Sequence, residues 1–397
     1  MRLWIAFIFI IILLCLNILL STESQLPESI ESSDEARDSC GTLDFIIKEL
    51  QNDSFPFIAH FPNSTRSHSP LPWSNFGRRI FTFEAILANV ATSDKWILLA
   101  TFESKYHHWV SNWLTFVALN NRYENTLIIA SRHHECEPLW NQGLICFAHE
   151  DLFYSTINPL DARAYNMTLA TQLKWYYSRW ILQLGYQVLF SDVDIVFLQD
   201  PFLLLNQTKY WDVLGLSDFC RPLFRKTLNQ IPTGCFLYKR SEPCQSTGLM
   251  AYRQTPASIQ FLKHVWDEML RTLQWEQAIA NYVLVEHIAH HKLIHQFIDD
   301  RYAANCPVIK QLAYVVPFQS LINHLIALHV GYINDKEEKM QAFQSIGLWH
   351  SDPNYQYRLL PPGLNNVTNV MDLIPETIPL NWCVTDCHFC CPPLCIW

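Results

Sequence analysis

The sequence predicts an α/β fold, a mixed and mostly parallel sheet with helices between its strands. Three observations carry this. First, Trp96 to Ala100 (WILLA) and Thr126 to Ala130 (TLIIA) are apolar runs of strand length, and the apolar positions Trp109, Trp113, Phe116 and Val117 between them recur at helical spacing. Strand, helix and strand in that order form a βαβ unit. Second, Leu169, Leu173, Tyr176, Tyr177, Trp180, Ile181 and Leu184 mark an amphipathic helix that Gly185 closes, and the short apolar run Gln187–Ser191 follows at once. Third, 50% of residues are hydrophobic and 16% are charged, a balance that excludes a disordered chain.

Further along, Asp212 to Ser217, Cys235 to Lys239 and Gly248 to Tyr252 read as strands. Thr255-Pro256 is an N-cap followed by a first-turn proline. It opens a helix whose apolar face is Ile259, Leu262, Val265, Trp266, Met269 and Leu273. The 28 basic residues against 37 acidic ones leave a charge of −9, which argues against a nucleic-acid partner. With ten glycines in 397 residues, a glycine-rich phosphate loop is not expected.

Leu3 to Leu20 is an uncharged apolar run, spanning about 27 Å as a helix, close to the thickness of a bilayer core. Arg2 precedes it and the acidic stretch Glu23 to Glu35 follows, so the body of the chain is expected on the lumenal side. Its length favours an uncleaved signal anchor, and hence a single-pass type II membrane protein, over a cleaved signal peptide and secretion. Of thirteen cysteines, Cys15 lies in this run and twelve would be lumenal, where disulfides persist. The glycosylation sequons at Asn52, Asn63, Asn166, Asn206 and Asn366 agree with that compartment. Cys220, Cys235 and Cys244 bracket an insertion, and the tail from Cys383 to Cys395 holds five cysteines. Disulfides are expected there rather than zinc, and the odd count requires a bond to the domain body or to another chain. A disulfide-linked or non-covalent oligomer therefore stays open.

The chemistry centres on Asp192-Val193-Asp194. On an extended chain, Asp192 and Asp194 would face one way, about 6.5–7 Å apart. Two carboxylates at the end of a buried strand repel each other and are costly to desolvate. A divalent cation such as Mn²⁺ or Mg²⁺ removes that cost, and such ions combine one or two carboxylates with ligand phosphates. The alternative is an acidic turn capping the next element.

The segment from Lys174 to Phe202, containing GYQVLFSDVDIVFLQDP, resembles the nucleotide-diphospho-sugar transferase family. ILLATFESKYHHWVSNWLTF, WDVLGLSDF, TGLMAYRQTPASIQFLKHVW, WEQAIAN and the closing segment from His329 to Trp349 resemble the family in the same order. The resemblance implies a GT-A (Rossmann-like) fold and a lumenal glycosyltransferase, hexosyl- or pentosyl-, of the Golgi or ER membrane. A nucleotide diphosphate sugar would be the donor, a glycan or glycoprotein the acceptor, and retention the stereochemical outcome. It implies Asp192, Asp194 and His329 as metal ligands, and Thr101, Lys174, Asp192, Gly248 and Lys339 as nucleotide-sugar contacts. Glu276 and Gln277 would lie near the reacting carbon. Residue by residue there are plainer readings: a core histidine for His329, a solvated helix face for Lys174, a charged helix start for Lys339 and a turn glycine for Gly248. Glu276 stands where the family usually has Asp, and Gly331 where relatives often have Asn.

On this reading, residues 1–21 are a cytoplasmic tip and signal-anchor helix, 22–92 a lumenal stem, 93–350 the transferase domain and 351–397 a cysteine-rich tail. Two other functions stay open. One is a non-catalytic sugar-binding or scaffold protein on the same fold. The other is an Asp-nucleophile phosphatase, because DVDIV fits that motif, although a βαβ unit precedes it here.

Overall fold

The computed structural model describes residues 83–140, 144–148, 169–217, 245–272, 276–305, 322–331, 333, 336–351, 364, 367 and 370–374, all within one unit, His60–Trp397. The apolar run Leu3 to Leu20, the strand expected over Cys235 to Lys239, Leu273 and the cysteines of the insertion and tail lie outside them. Among the described residues, no helix is long and apolar enough to cross a membrane.

The first element is helix α1 (Phe83–Val90), in the stretch read as the end of the stem. Its Phe83, Leu87 and Val90 are buried against the domain. Each such side chain contributes about 1.5–3 kcal/mol of burial, so folded structure begins before residue 93. Then come β1 (Trp96–Phe102), α2 (His107–Leu119), β2 (Thr126–Ala130), α3 (His133–Trp140) and β3 (Cys146–Ala148). The disulfide Cys136–Cys146 ties α3 to β3. Helix α4 (Leu169–Gln183) ends where expected, with Gly185 at φ +88°, a backbone region in which glycine carries no steric cost.

Next follow β4 (Gln187–Ser191), β5 (Ile195–Phe197), β6 (Val213–Ser217) and β7 (Gln245–Tyr252). Helix α5 (Pro256–Thr272) opens as its sequence predicts, with Thr255 Oγ1 accepting from the Ser258 N–H at 3.2 Å. Helix α6 (Glu276–Ala289), β8 (His295–Phe297), β9 (Ala303–Asn305), β10 (Ala327–His329) and α7 (Lys336–Ser345) complete the set.

The large sheet has the order β3-β2-β1-β4-β7-β6-β8. It is parallel across β3, β2, β1 and β4 and between β6 and β8, and antiparallel where β7 meets β4 and β6. This is the mixed, mostly parallel α/β sheet that the sequence predicts. A smaller sheet, β5-β10-β9, stands beside it.

Alternation along the strands sorts side chains into two layers. Ile97, Leu99, Val188 and Phe190 pack with α4, α5 and α6, whereas Leu98, Ala100 and Leu189 pack with Val110, Trp113 and Val117 of α2. The other side of α2, Trp109 and Phe116, packs with the small sheet and Phe343 of α7. Helix α2 is therefore apolar nearly all round, because it is buried between the two sheets.

Candidate active site

Parallel strands put ligand sites at their carboxyl ends. Strand β4 ends at Ser191, whose Oγ accepts from Trp113 Nε1 at 3.0 Å. The Asp192 N–H then donates to the Gly248 carbonyl at 2.7 Å. Asn112, beside Trp113 on α2, donates to Leu348 O and accepts from the His350 N–H. One Asn-Trp pair thus holds both the strand end before the aspartates and the chain after α7.

The two aspartates do not sit on an extended strand. Val193 and Asp194 form a turn between β4 and β5, and Asp192, Val193 and Asp194 all line one cavity of about 210 Å³. The expected alternation, with Val193 facing away, is replaced because the chain must reverse from the large sheet into the small one. The cavity is completed by Thr101, Tyr106, Trp109, Ala170, Thr171, Ile333, Lys336 and Lys339.

Asp194 is compensated from two sides. Lys339 Nζ lies 2.6 Å from its Oδ2, and His329 Nε2 lies 3.4 Å from its Oδ1. Burial alone would raise its pKa. Lys339 and His329 outweigh burial and hold the carboxyl well below the usual range. Asp192 differs. Its side chain keeps 37% of its surface open, yet the surrounding protein, with Lys174 only partly opposing and Asp194 adding repulsion, pushes its carboxyl up to about 6.

Lys174 is buried, not on a solvated helix face. Its ammonium donates to the Thr247 carbonyl, Thr247 Oγ1 and Glu276 Oε1, each at 3.2 Å, and stands 3.8 Å from Asp192. Burial opposes its charge, but Asp192 and Glu276 raise its pKa overall. Three donors meet three acceptors, so this ammonium is already saturated.

Of the residues that the sequence singles out, Thr101, Asp192, Asp194 and Lys339 line the cavity. Thr101 spends its hydroxyl proton on Ala170 O. Lys174, Gly248 and His329 are outside the lining and touch it through Asp192 and Asp194. Glu276 and Gln277 stand one step further back, on Lys174 and Thr247. His329 ends β10 with its ring between two glycines. A Cβ on Gly248 or on Gly331 would come within 2.9 Å of its Cε1. Gly248 is thus required by the histidine and by Asp192, whose Oδ2 a Cβ would approach to 3.2 Å.

Sequence reading missed Tyr106, Lys336 and Thr247. Lys336 Nζ lies 4.3 Å from the Tyr106 ring centroid. Burial, then Glu103 and both aspartates, push the Tyr106 hydroxyl up to about 12. The spacing of Lys336 and Lys339, one helical turn apart, is the signal that was available for the former.

The donor set fits a divalent cation. Asp194 Oδ1 and His329 Nδ1 are buried without a hydrogen-bond partner among the described residues. Two carboxylates and an imidazole suit Mn²⁺. No three His, Cys, Asp or Glu among the described residues close into a ready-made cage. An ion that completes its shell with substrate phosphate needs none.

The sequence pattern of the nucleotide-diphospho-sugar transferases matches residues 136–343, more than half the chain. The chain belongs to the nucleotide-diphospho-sugar transferase family. It is a glycosyltransferase that uses a nucleotide sugar. UDP-D-xylose:L-fucose alpha-1,3-D-xylosyltransferase 1 of Arabidopsis thaliana is 25% identical over 310 residues, 74% of this chain and 80% of that one. Arabinosyltransferase RRA2 of the same plant is 36% identical over 115 residues, 28% of this chain and 26% of that one. Among solved structures, galactosyltransferase LgtC with donor and acceptor sugar analogs is similar at 12% identity and a TM-score of 0.38, over 72% of this chain and 98% of that one. The matched span of this transferase takes in the aspartate turn, Lys174, Glu276, His329 and Lys339.

Proposed function

We propose that this glycosyltransferase is metal-dependent, has a GT-A fold, and moves a sugar from a UDP-sugar to a glycan or glycoprotein with retention of anomeric configuration. The observation that carries the reading is the meeting of Asp192, Asp194 and Lys339 in one cavity at the carboxyl end of β4, with His329 against Asp194 behind it. Asp192 and Asp194 both present carboxylate oxygens to this cavity, and a bound dication would offset their mutual repulsion. Asp192, Asp194 and His329 would hold Mn²⁺ or Mg²⁺, which would supply Lewis-acid stabilisation of the departing diphosphate.

The protein's own contribution is positional. Lys339, paired with Asp194, and Lys336 one turn away on α7 both line the cavity and would offer positive charge to the diphosphate. Thr101 and Tyr106 line the same cavity and would face the nucleotide. Glu276 and Gln277 act from behind Asp192. The named relatives act with UDP-D-xylose or transfer arabinose, so UDP-pentoses are the first donors to try.

The same reading makes the protein a single-pass type II resident of the Golgi or ER membrane, with residues 22–397 lumenal, anchored through Leu3 to Leu20. The Cys136–Cys146 disulfide supports an oxidising compartment. The stem would then be the stretch from residue 22 up to the docked helix α1, and the cysteine-rich tail would follow Ile374, which packs on the domain core. A bond from that tail to a second chain would make a dimer.

The test is hydrolysis of UDP-xylose with and without Mn²⁺, in the wild type and Asp194→Ala. Metal-stimulated release of UDP that falls by about a thousandfold in the variant is expected. Equal release by the two proteins would sink the proposal.

A further inference from the structure

The pairing of β7 with β6 carries an irregularity at the site. Gly215 pairs with Met250, but the next residue, Leu216, pairs with Ser246, so Thr247, Gly248 and Leu249 face no residue of β6. Bulges of this kind re-aim side chains next to active sites. On its other edge β7 keeps the regular β4 register, and Gly248 O accepts from the Asp192 N–H as the next step of that ladder. The bulge turns Thr247 into the space between α4 and α6.

Thr247 is buried and uses every polar atom it has. Its hydroxyl donates to Glu276 Oε1 at 3.1 Å and accepts from Lys174 Nζ at 3.2 Å. Its carbonyl takes a second bond from Lys174, and its N–H reaches Gln277 Oε1 at 3.4 Å. One residue therefore contacts Lys174, Glu276 and Gln277, while its neighbour holds Asp192.

We propose that Thr247 is a positioning residue for sugar transfer, its hydroxyl locking Lys174 onto Glu276 and so keeping Lys174 at a distance from Asp192. Without the hydroxyl, Lys174 has a spare donor and Asp192 is the nearest free carboxylate, 3.8 Å away. The ammonium then closes on Asp192 and draws that carboxylate from the donor. Glu276 loses the hydroxyl bond that fixes Oε1, while the backbone bond of Thr247 to Gln277 remains. The substrate need not contact Thr247 for this to matter, because small displacements of positioned groups cost large factors in rate.

This inference rests on the functional reading above, and the experiment separates the two. Thr247→Val keeps the shape and removes the hydroxyl, whereas Thr247→Ser keeps the hydroxyl and removes the methyl. UDP-xylose hydrolysis is measured in Mn²⁺ and expressed per UDP-binding site, counted by calorimetric titration with UDP and Mn²⁺. Thr247→Val is expected to lower kcat by about 10- to 100-fold, the range for a lost hydrogen bond to a charged group, with donor KM changed by less than about threefold. Thr247→Ser is expected to stay within about threefold of wild type in both constants. If the Val variant does not fold, Thr247→Ala against Thr247→Ser makes the same comparison. Equal kcat per site with and without the hydroxyl overturns the role of Thr247 and leaves the metal-dependent reading standing. A wild type that neither binds UDP nor hydrolyses UDP-xylose overturns both.

Discussion

The two aspartates of the site are two residues apart in sequence and live in different electrostatic regimes. Asp194 faces the small sheet and α7, and has an ammonium and an imidazole against its two oxygens. Asp192 faces α4 and β7, and the cation nearest to it, Lys174, is spent on Thr247 and Glu276. One carboxyl is held low and the other is pushed up to about 6. The fold thus presents one carboxylate whose two oxygens are each met by a cationic partner and one whose nearest ammonium is engaged elsewhere. Dividing the aspartate turn between two sheets is what makes the two environments differ.

The sharpest way to break this comparison is at Lys174. Lys174→Met leaves Glu276 buried with Thr247 as its hydrogen-bond partner from β7, and leaves Asp192 without a nearby ammonium. Removing one partner of a buried pair costs about 3–5 kcal/mol. The expected result is a stability loss of that size in urea denaturation, together with loss of UDP-sugar hydrolysis. A variant as stable as wild type would mean that Lys174 and Glu276 are not both charged in the folded protein.

Lys339→Met probes the other side, and its two readouts should separate. Lys339 is 16% exposed and Asp194 keeps His329, so a stability loss smaller than the roughly 3–5 kcal/mol of a fully broken buried pair is expected. Turnover should fall by about a hundredfold, because a cation at the diphosphate acts on developing charge. A large stability loss with unchanged kcat would reassign Lys339 as a structural partner of Asp194.

Much of this arrangement was legible in the sequence, and what was not has a physical reason. Strands Thr126–Ala130 and Gln187–Ser191, the stop at Gly185 and the cap at Thr255 are local features, set by apolar period, a positive φ and one side-chain bond. The aspartate pair stood out because two carboxylates at the end of an apolar strand are costly to bury, whereas His329 came only through the family resemblance, its residues alone reading as a core histidine. Strand β7 was expected from Gly248 but starts at Gln245, since Gln245 and Ser246 are polar residues that pair with the end of β6. The short strands β5, β9 and β10 have three residues each, too few for any period to register. Thr247 opens a segment that resembles the family, but its own role carried no signal. Its role comes from a bulge, and a bulge is fixed by the mismatch between two strands that 27 residues (218–244) separate along the chain. The helix Phe83–Val90 lies in a region of prolines and sequons where composition reads as stem, yet three apolar residues one turn apart suffice to dock it.

The smallest effect expected is at the histidine, and it separates the two halves of the site most finely. His329 stands between Gly248 and Gly331. A Cβ on Gly331 meets only the ring, at 2.9 Å from Cε1, and Asn305 Oδ1 at 3.4 Å. A Cβ on Gly248 meets the ring and the Asp192 carboxylate together. Gly331→Ala therefore shifts the imidazole by a few tenths of an ångström and disturbs the Asp194 side alone. Overpacking of this kind costs about 1–3 kcal/mol, and kcat/KM for donor hydrolysis is expected to fall by about tenfold. Gly248→Ala perturbs both carboxylates and should cost more on both counts. The ratio of the two losses, read as kcat/KM at saturating Mn²⁺, measures how far the two halves act independently. If Gly331→Ala costs as much as Gly248→Ala, the histidine alone governs the site, and the division between a compensated and an uncompensated aspartate has no bearing on turnover.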